Sequence, residues 1–316
     1  MSARSRADRA EADRAETSRV AGRSVVDAGV FPLTESISVL PPERDDDRWL
    51  VAIDLDGTTV DPDNHASDRV RDAVARAQAA GHTVLVASGR PIAGVLPLYD
   101  HLGLASPYAV CSNGAIVVGT NAAARGARYR IVDMTTFDPA PVIEAIDPYL
   151  PDARFAVEDG DVGYRFSRPF VAGTFGAPIS EVPLDDLKAR PVTRVIVVSP
   201  SHDDDMDEFL QIIDRIGLHQ VSYSVGWTAW LDIAPQGVNK ATALEKVRAR
   251  LGVPRSRVMV IGDGYNDIEM LDWASAEGIG AAMGHADPEV RAHASRVVGD
   301  LEHDGVADAI ELLPVR

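Results

Sequence analysis

The 316-residue sequence predicts a doubly wound α/β core of parallel strands with a smaller α+β domain inserted into it. Three observations carry that expectation. Short, wholly apolar runs alternate with amphipathic stretches of helical length near both ends of the core. Each apolar run stops in a turn of small and acidic residues. The middle of the chain, from Ile116 to Leu231, changes instead to shorter alternating strands.

The first element is Trp49-Leu50-Val51-Ala52-Ile53, an apolar run that reads as a buried strand and ends in the turn Asp54-Leu55-Asp56-Gly57-Thr58-Thr59. Ser67 is placed to cap a helix in which Val70, Ala73, Val74 and Ala77 recur at helical spacing, and Gly81 sits where a left-handed residue closes one. Thr83 to Ala87 is a second buried strand, ended by Ser88-Gly89-Arg90-Pro91. Strand, helix and strand of this size predict a right-handed βαβ unit. In the middle, strands are expected over Tyr129–Val132 and Val195–Val198, and helices near Val142–Tyr149 and Met206–Ile216. The α/β alternation then returns. Asn239 to Leu251 carries Leu244, Val247 and Leu251 on one helical face before Gly252 and Pro254, and the strand Val258–Ile261 runs into Gly262-Asp263-Gly264-Tyr265-Asn266-Asp267. The expected organisation is a solvated tail over residues 1–47, a core over 48–115 and 232–316, and an insert over 116–231.

Composition narrows the function. Lys+Arg number 31 against 48 Asp+Glu, a formal charge of −17, which repels phosphate backbones and disfavours nucleic-acid binding. The single cysteine, Cys111, allows no intrachain disulfide, and a reducing compartment is expected. No apolar run reaches the roughly 20 residues of a membrane span, and the N-terminus has no secretory h-region. Asp8, Glu11, Asp13 and Glu16 argue against a mitochondrial transit peptide. A soluble cytoplasmic protein without membrane or nucleic-acid partners is the expectation.

Ligands of an open parallel sheet bind beyond the carboxyl ends of its strands, where the three polar turns converge. Asp54 and Asp56 lie two apart and would repel unless a cation or a proton came between them. Asp263 and Asp267 add carboxylates from another strand end. Oxygen ligands alone point to a hard ion, and Mg²⁺ fits best. Such an ion would bring a phosphate dianion up to Asp54 and permit phosphoryl transfer to it. Ser88 offers a hydroxyl within a Ser-Gly turn suited to phosphate oxygens. Lys240 falls in the first turn of a helix, where a cation opposes the helix dipole, so an anion is expected beside it. A calcium loop fails on Thr58, Thr59 and His65 at its later positions, and a dinucleotide fingerprint fails on Asp267 where its last glycine belongs.

Taken in order, Asp54-Leu55-Asp56-Gly57-Thr58, Ala87-Ser88-Gly89-Arg90-Pro91, Lys240 and Gly262 to Asp267 resemble the four motifs of the haloacid dehalogenase superfamily. The Ser-Gly-Arg-Pro turn, Ser112-Asn113-Gly114-Ala115 and the large insert are similar to its Cof-type phosphatase branch. The resemblance spans residues 48–316. It implies a Rossmann-like core and a mobile cap that selects substrate. Asp54 would be the nucleophile that becomes an aspartyl phosphate, and Asp56 the general acid and then the base. Ser88, with Gly89 beside it, and Lys240 would hold the phosphoryl oxygens. Mg²⁺ would bind the Asp54 carboxylate, the Asp56 carbonyl and Asp263, with Asp267 ligating through water or orienting Lys240. Asn113 and Asn266 would contact phosphate or substrate. The implied partner is a small phosphate ester, a sugar phosphate or a phosphorylated cofactor. A phosphomutase of the same superfamily and a phospho-accepting signalling receiver are the alternatives, the latter opposed by the insert and by the acid at Asp56.

Overall fold

A computed structural model describes residues 47–314, apart from 121–128, 161–162, 171–176, 178, 219–220 and 226–228. The tail expected over residues 1–47 therefore lies outside the described residues except for Asp47. The chain runs through β1 (Leu50–Ile53), β2 (Thr83–Val86), β3 (Tyr108–Cys111), β4 (Ile116–Gly119) and β5 (Arg130–Met134). It continues through β6 (Arg154–Glu158), β7 (Tyr164–Phe166), β8 (Ile179–Glu181), β9 (Arg194–Val198), β10 (Val221–Val225) and β11 (Trp230–Pro235), and closes with β12 (Val258–Gly262), β13 (Ile279–Ala282) and β14 (Arg296–Val297).

The central sheet has five parallel strands in the order β14-β13-β12-β1-β2. Its inner strands β1 and β12 read as unbroken apolar runs because helices cover both faces. Alternation sends Val51, Ile53, Met259 and Ile261 to one core with the helices Asp68–Ala79 and Gly305–Ile310. Leu50, Ala52, Val258 and Val260 go to the other core, against the helices Lys240–Leu251 and Ile268–Ser275. Ser67 caps the first of these helices by accepting the Val70 N–H, as its position in the sequence requires. Successive strands depart in opposite directions from β1, toward β2 on one side and β12 on the other. The carboxyl ends of β1 and β12 thus flank the point where strand order reverses.

A six-stranded sheet, β10-β11-β9-β6-β7-β8, forms the second layer system; all its pairs are antiparallel except β7 with β8. Phe155, Val157, Val195, Val197, Leu231 and Ile233 pack one face on the helices Ala140–Ile146 and Met206–Ile216. Sheet membership differs from the expected limits of the insert, 116–231. β3, β4 and β5 form an antiparallel sheet joined to the central one by a parallel bridge from Ala87 to Val110, and Ile116, Val117 and Val118 lie in the two cores of that sheet. A hairpin that extends a parallel sheet reads, from its own residues, like the start of an antiparallel domain. At the other end β11 carries the six-stranded sheet on to Pro235. Among the described residues no helix is long and apolar enough to cross a membrane.

The turn after β3 is backbone-limited. Ser112, Asn113 and Gly114 all have positive φ, of 52°, 52° and 96°, and a Cβ on Gly114 would lie 2.2 Å from the Asn239 carbonyl oxygen. Gly103, at φ 62°, has nothing within 4 Å of the same added atom. Gly103→Ala should therefore cost the backbone strain alone, about 1–2 kcal/mol, and Gly114→Ala clearly more. Urea midpoints check this, and equal losses at the two positions would mean that the start of the helix Lys240–Leu251 moves aside freely.

Candidate active site

Asp54 follows β1 directly, and its N–H continues the ladder by donating to the Ile261 carbonyl at 2.9 Å. The chain then folds back, with the N–H groups of Thr58, Thr59 and Val60 all on the Leu55 carbonyl. This turn aims the Thr58 hydroxyl at Asp263 Oδ1, which lies beyond β12, and the Thr59 hydroxyl at the Asp54 carbonyl. Two strand ends that are neighbours in the sheet are thereby tied together at the reversal point.

Lys240 enters from the opposite core. Asn239 and Thr242 form a reciprocal capping box that fixes where the helix Lys240–Leu251 begins, so Lys240 occupies its first position. Its ammonium is fully buried and donates to Asp54 Oδ1 at 2.7 Å and to Asp267 Oδ1 at 2.6 Å. The anion expected beside this misplaced cation is thus supplied by the protein itself. Asp267 is held in turn, its Oδ2 accepting the N–H groups of Asp263 at 3.0 Å and Gly264 at 2.9 Å. Ligand oxygens of Asp54, Asp263 and Asp267 lie within 4.8 Å of one another. Three carboxylates meet one ammonium, which leaves an excess of negative charge in a buried place. Burial pushes the Asp54 carboxyl well above its usual range; Lys240 pulls it down, and Asp267 and Asp263 push it further up. Burial likewise raises the Asp263 carboxyl, against the hydrogen bond from Thr58. An all-oxygen donor set short of positive charge fits a hard divalent ion such as Mg²⁺. A second acidic group among the described residues, Asp61 with Asp63 and His65, is accounted for by turn chemistry, since Asp61 Oδ1 accepts the N–H groups of Asp63 and His65.

Asp56 does not join the cluster. Its side chain is 59% exposed and paired with Arg90, whose Nε lies 2.9 Å from Oδ2 and 3.1 Å from Oδ1. Repulsion from Asp54 and the fork of the guanidinium both favour that position. Without an ion or proton between them, the Asp54 and Asp56 carboxylates thus take different partners, Lys240 and Arg90. Ser88 is fully buried, and its Oγ accepts the Arg90 N–H at 3.1 Å. Asn266 donates to Asn113 Oδ1 at 3.0 Å, and Asn113 donates to Asp232 at 3.1 Å. Gly89 offers its carbonyl to Arg194 at 2.6 Å.

Sequence reasoning passed over Arg90, Thr58, Glu158, Arg194 and Asp232. Arg194 and Asp232 did carry a signal, since each is a charge inside an otherwise apolar strand, and buried charges need partners. His285, whose Nε2 stands 3.5 Å from Asp263 Oδ2, carried none.

Comparison with known proteins agrees with this geometry. A family model described as haloacid dehalogenase-like hydrolase matches residues 51–310. The chain belongs to that family. Among its relatives in this hydrolase family, the pyridoxal phosphate phosphatase YbhA of Escherichia coli (strain K12) is 30% identical over 284 residues, covering 83% of this chain and 97% of its own length. The 5-amino-6-(5-phospho-D-ribitylamino)uracil phosphatase YitU of Bacillus subtilis (strain 168) is 27% identical, over 82% of this chain and 95% of its own. The solved structure of the subclass IIB sugar phosphatase BT4131 shares the hydrolase fold, with a TM-score of 0.69 at 19% identity over 84% of this chain and 98% of that one.

Lys240→Met would leave Asp54 and Asp267 buried with no counter-charge, a loss of about 3–5 kcal/mol in stability at neutral pH without added metal. The Asp54 carboxyl, raised by burial and no longer lowered by Lys240, would have a folded-state pKa above its unfolded one. Protons then bind the folded state preferentially, and the deficit should shrink as pH falls. Urea unfolding in EDTA at neutral and mildly acid pH tests this; a deficit that is absent, or that does not change with pH, contradicts the pairing.

Proposed function

We propose that this hydrolase is a Mg²⁺-dependent phosphatase of small phosphorylated metabolites that works through an aspartyl phosphate on Asp54. The observation that carries the reading is the Lys240 ammonium bridging Asp54 and Asp267, with Asp263 alongside, where strand order reverses. The relatives named for pyridoxal phosphate and for a phosphoribitylaminouracil support the substrate class.

In the proposed reaction the Asp54 carboxylate attacks phosphorus while the ester P–O bond breaks. The leaving oxygen takes the bond's electron pair and a proton from Asp56. Lys240 holds one Asp54 oxygen and screens the approach of a dianion to a carboxylate. Ser88, whose Oγ accepts from Arg90 and keeps its own proton to donate, binds a phosphoryl oxygen with the Gly89 amide beside it. In the second step water attacks phosphorus, Asp56 takes its proton, and the bond to Asp54 breaks to release inorganic phosphate. Asp56 must let go of Arg90 to serve in either step, and its exposed position leaves it free to do so. A Mg²⁺ ion held by the Asp54 carboxylate, the Asp56 carbonyl and Asp263, with Asp267 behind, would supply charge neutralisation for the phosphoryl group. Asn113 and Asn266, hydrogen-bonded to each other, would contact phosphate or substrate. Sheet membership supports drawing the substrate-selecting cap over 136–235. Buried Cys111 suits a reducing, cytoplasmic setting.

Hydrolysis of p-nitrophenyl phosphate should vanish in EDTA and return with Mg²⁺; full activity in EDTA, or recovery with Zn²⁺ alone, contradicts the donor set. The two duties of Asp56 separate by leaving group. Asp56→Ala should slow the first step about 10²–10⁴-fold for an alkyl phosphate and much less for the aryl ester, whose phenolate leaves unprotonated. With the aryl ester it should then release a burst of nitrophenol and turn over slowly. Equal first-step losses and no burst in rapid-quench experiments would remove Asp56 from acid–base work.

A further inference from the structure

Outside the Asp54–Lys240 cluster the structure buries a second set of charges. Glu158 ends β6, Arg194 opens β9 directly opposite it, and Asp232 lies on β11 opposite Ile196. Strand alternation puts all three on one face of the six-stranded sheet, away from the helices that pack its other face. Arg194 Nη1 donates to Asp232 Oδ2 at 3.1 Å, Nη2 donates to the Tyr164 hydroxyl, and Nε stands 3.4 Å from Glu158 Oε2. All of these partners lie on strands of the six-stranded sheet.

One contact of Arg194 leaves that sheet. Its Nη1 also donates to the Gly89 carbonyl at 2.6 Å. The Gly89 carbonyl and the Arg90 N–H are the two ends of a single planar peptide unit. The Arg90 N–H donates to Ser88 Oγ at 3.1 Å. Fixing one end of the plane fixes the other, so the guanidinium sets the direction in which the Ser88 hydroxyl is held. A second path reaches the same region, since Asp232 Oδ2, paired with Arg194, also accepts from Asn113. A third ties Ser112, just before Asn113, to Glu158 at 2.7 Å. Burying three charges for stability alone is inefficient, because apolar residues of similar volume do as well. What the guanidinium provides is fixed direction: a rigid fork addresses Gly89, Asp232 and Tyr164 together, which a single ammonium cannot.

We propose that Arg194, a residue of the insert, is a positioning residue for the phosphoryl pocket, acting through the Gly89–Arg90 peptide on Ser88. The inference rests on the reading of Ser88 as a phosphate-holding group. It gives the insert a part in the chemical step in addition to choosing the leaving group.

The test compares Arg194→Lys, Ser88→Ala and the double variant by kcat/KM for p-nitrophenyl phosphate, the inhibition constant of inorganic phosphate, and the thermal unfolding midpoint. Arg194→Lys should lose about tenfold or more in kcat/KM and weaken phosphate binding in parallel while its midpoint stays near that of the wild type. In the Ser88→Ala background the same change should cost almost nothing, because the group it positions is gone. If Arg194→Lys does not fold, Arg194→Met with Asp232→Asn, which keeps the net charge of the cluster, takes its place with the same expectations. Wild-type kcat/KM and phosphate affinity in the Arg194 variant, or losses that multiply in the double variant, would overturn the inference alone. A wild type that hydrolyses no phosphate ester, or a Ser88→Ala variant as active as the wild type, would overturn the underlying reading and the inference with it.

Discussion

The placement of one ammonium governs this structure. Asp54 and Asp267 are buried acids on different strand ends, and neither carboxylate is tolerable there without a cation within hydrogen-bonding reach. Lys240 supplies it to both at once. For it to do so, the helix that carries it must begin at one residue and no other, which is what the Asn239–Thr242 capping box secures. The same helix start is closed over by the turn at Gly114, where the approach of the Asn239 carbonyl admits no side chain. Each local feature around the site is thus a condition for holding that ammonium in place.

The parallel sheet determines where such an arrangement can form. β1 and β12 are adjacent, but the chain leaves them in opposite directions, so their carboxyl ends flank the crevice where strand order reverses. Carboxylates gather in that crevice more densely than one lysine can neutralise; burial raises the Asp54 and Asp263 carboxyls, and repulsion from Asp267 adds to the rise of both. The residual negative charge is the physical reason to expect a divalent ion, and an ion there would turn a site that repels phosphate into one that attracts it. The six-stranded sheet meets the crevice through charged groups of its own, among them Arg194 on Gly89 and Glu158 on Ser112. The docking of the two parts is therefore polar and directional near the site.

Much of this was legible in the sequence where the cause is local. β1 and β12 are apolar runs throughout, and β2 is one after Thr83, because both faces are covered, and a run of that kind is visible in the sequence. Ser67 and Asn239 cap the helices they precede, and Lys240, set against a helix dipole, called for an anion that the structure provides. Legibility ended where the cause is distant. Asp56 takes Arg90 as its partner through a turn whose geometry depends on two strands. The sheet of β3, β4 and β5 is joined to the central one through the bridge at Val110, which leaves no mark on its own hydrophobic pattern. Arg194 and Asp232 are charges among apolar neighbours, a signal that was passed over, and their grouping with Glu158 depends on strand pairing that had to be known first.

The central claim is that Asp54, poised by Lys240, is the atom that takes the phosphoryl group. Peptide mapping of the Asp56→Ala variant, quenched in acid during turnover of an aryl phosphate with Mg²⁺ present, addresses it directly. The account predicts an acyl phosphate on the peptide that contains Asp54, lost on treatment with hydroxylamine and absent from Asp54→Asn. A phosphoryl group on any other residue, or steady release of phosphate by the Asp54→Asn variant, would contradict it.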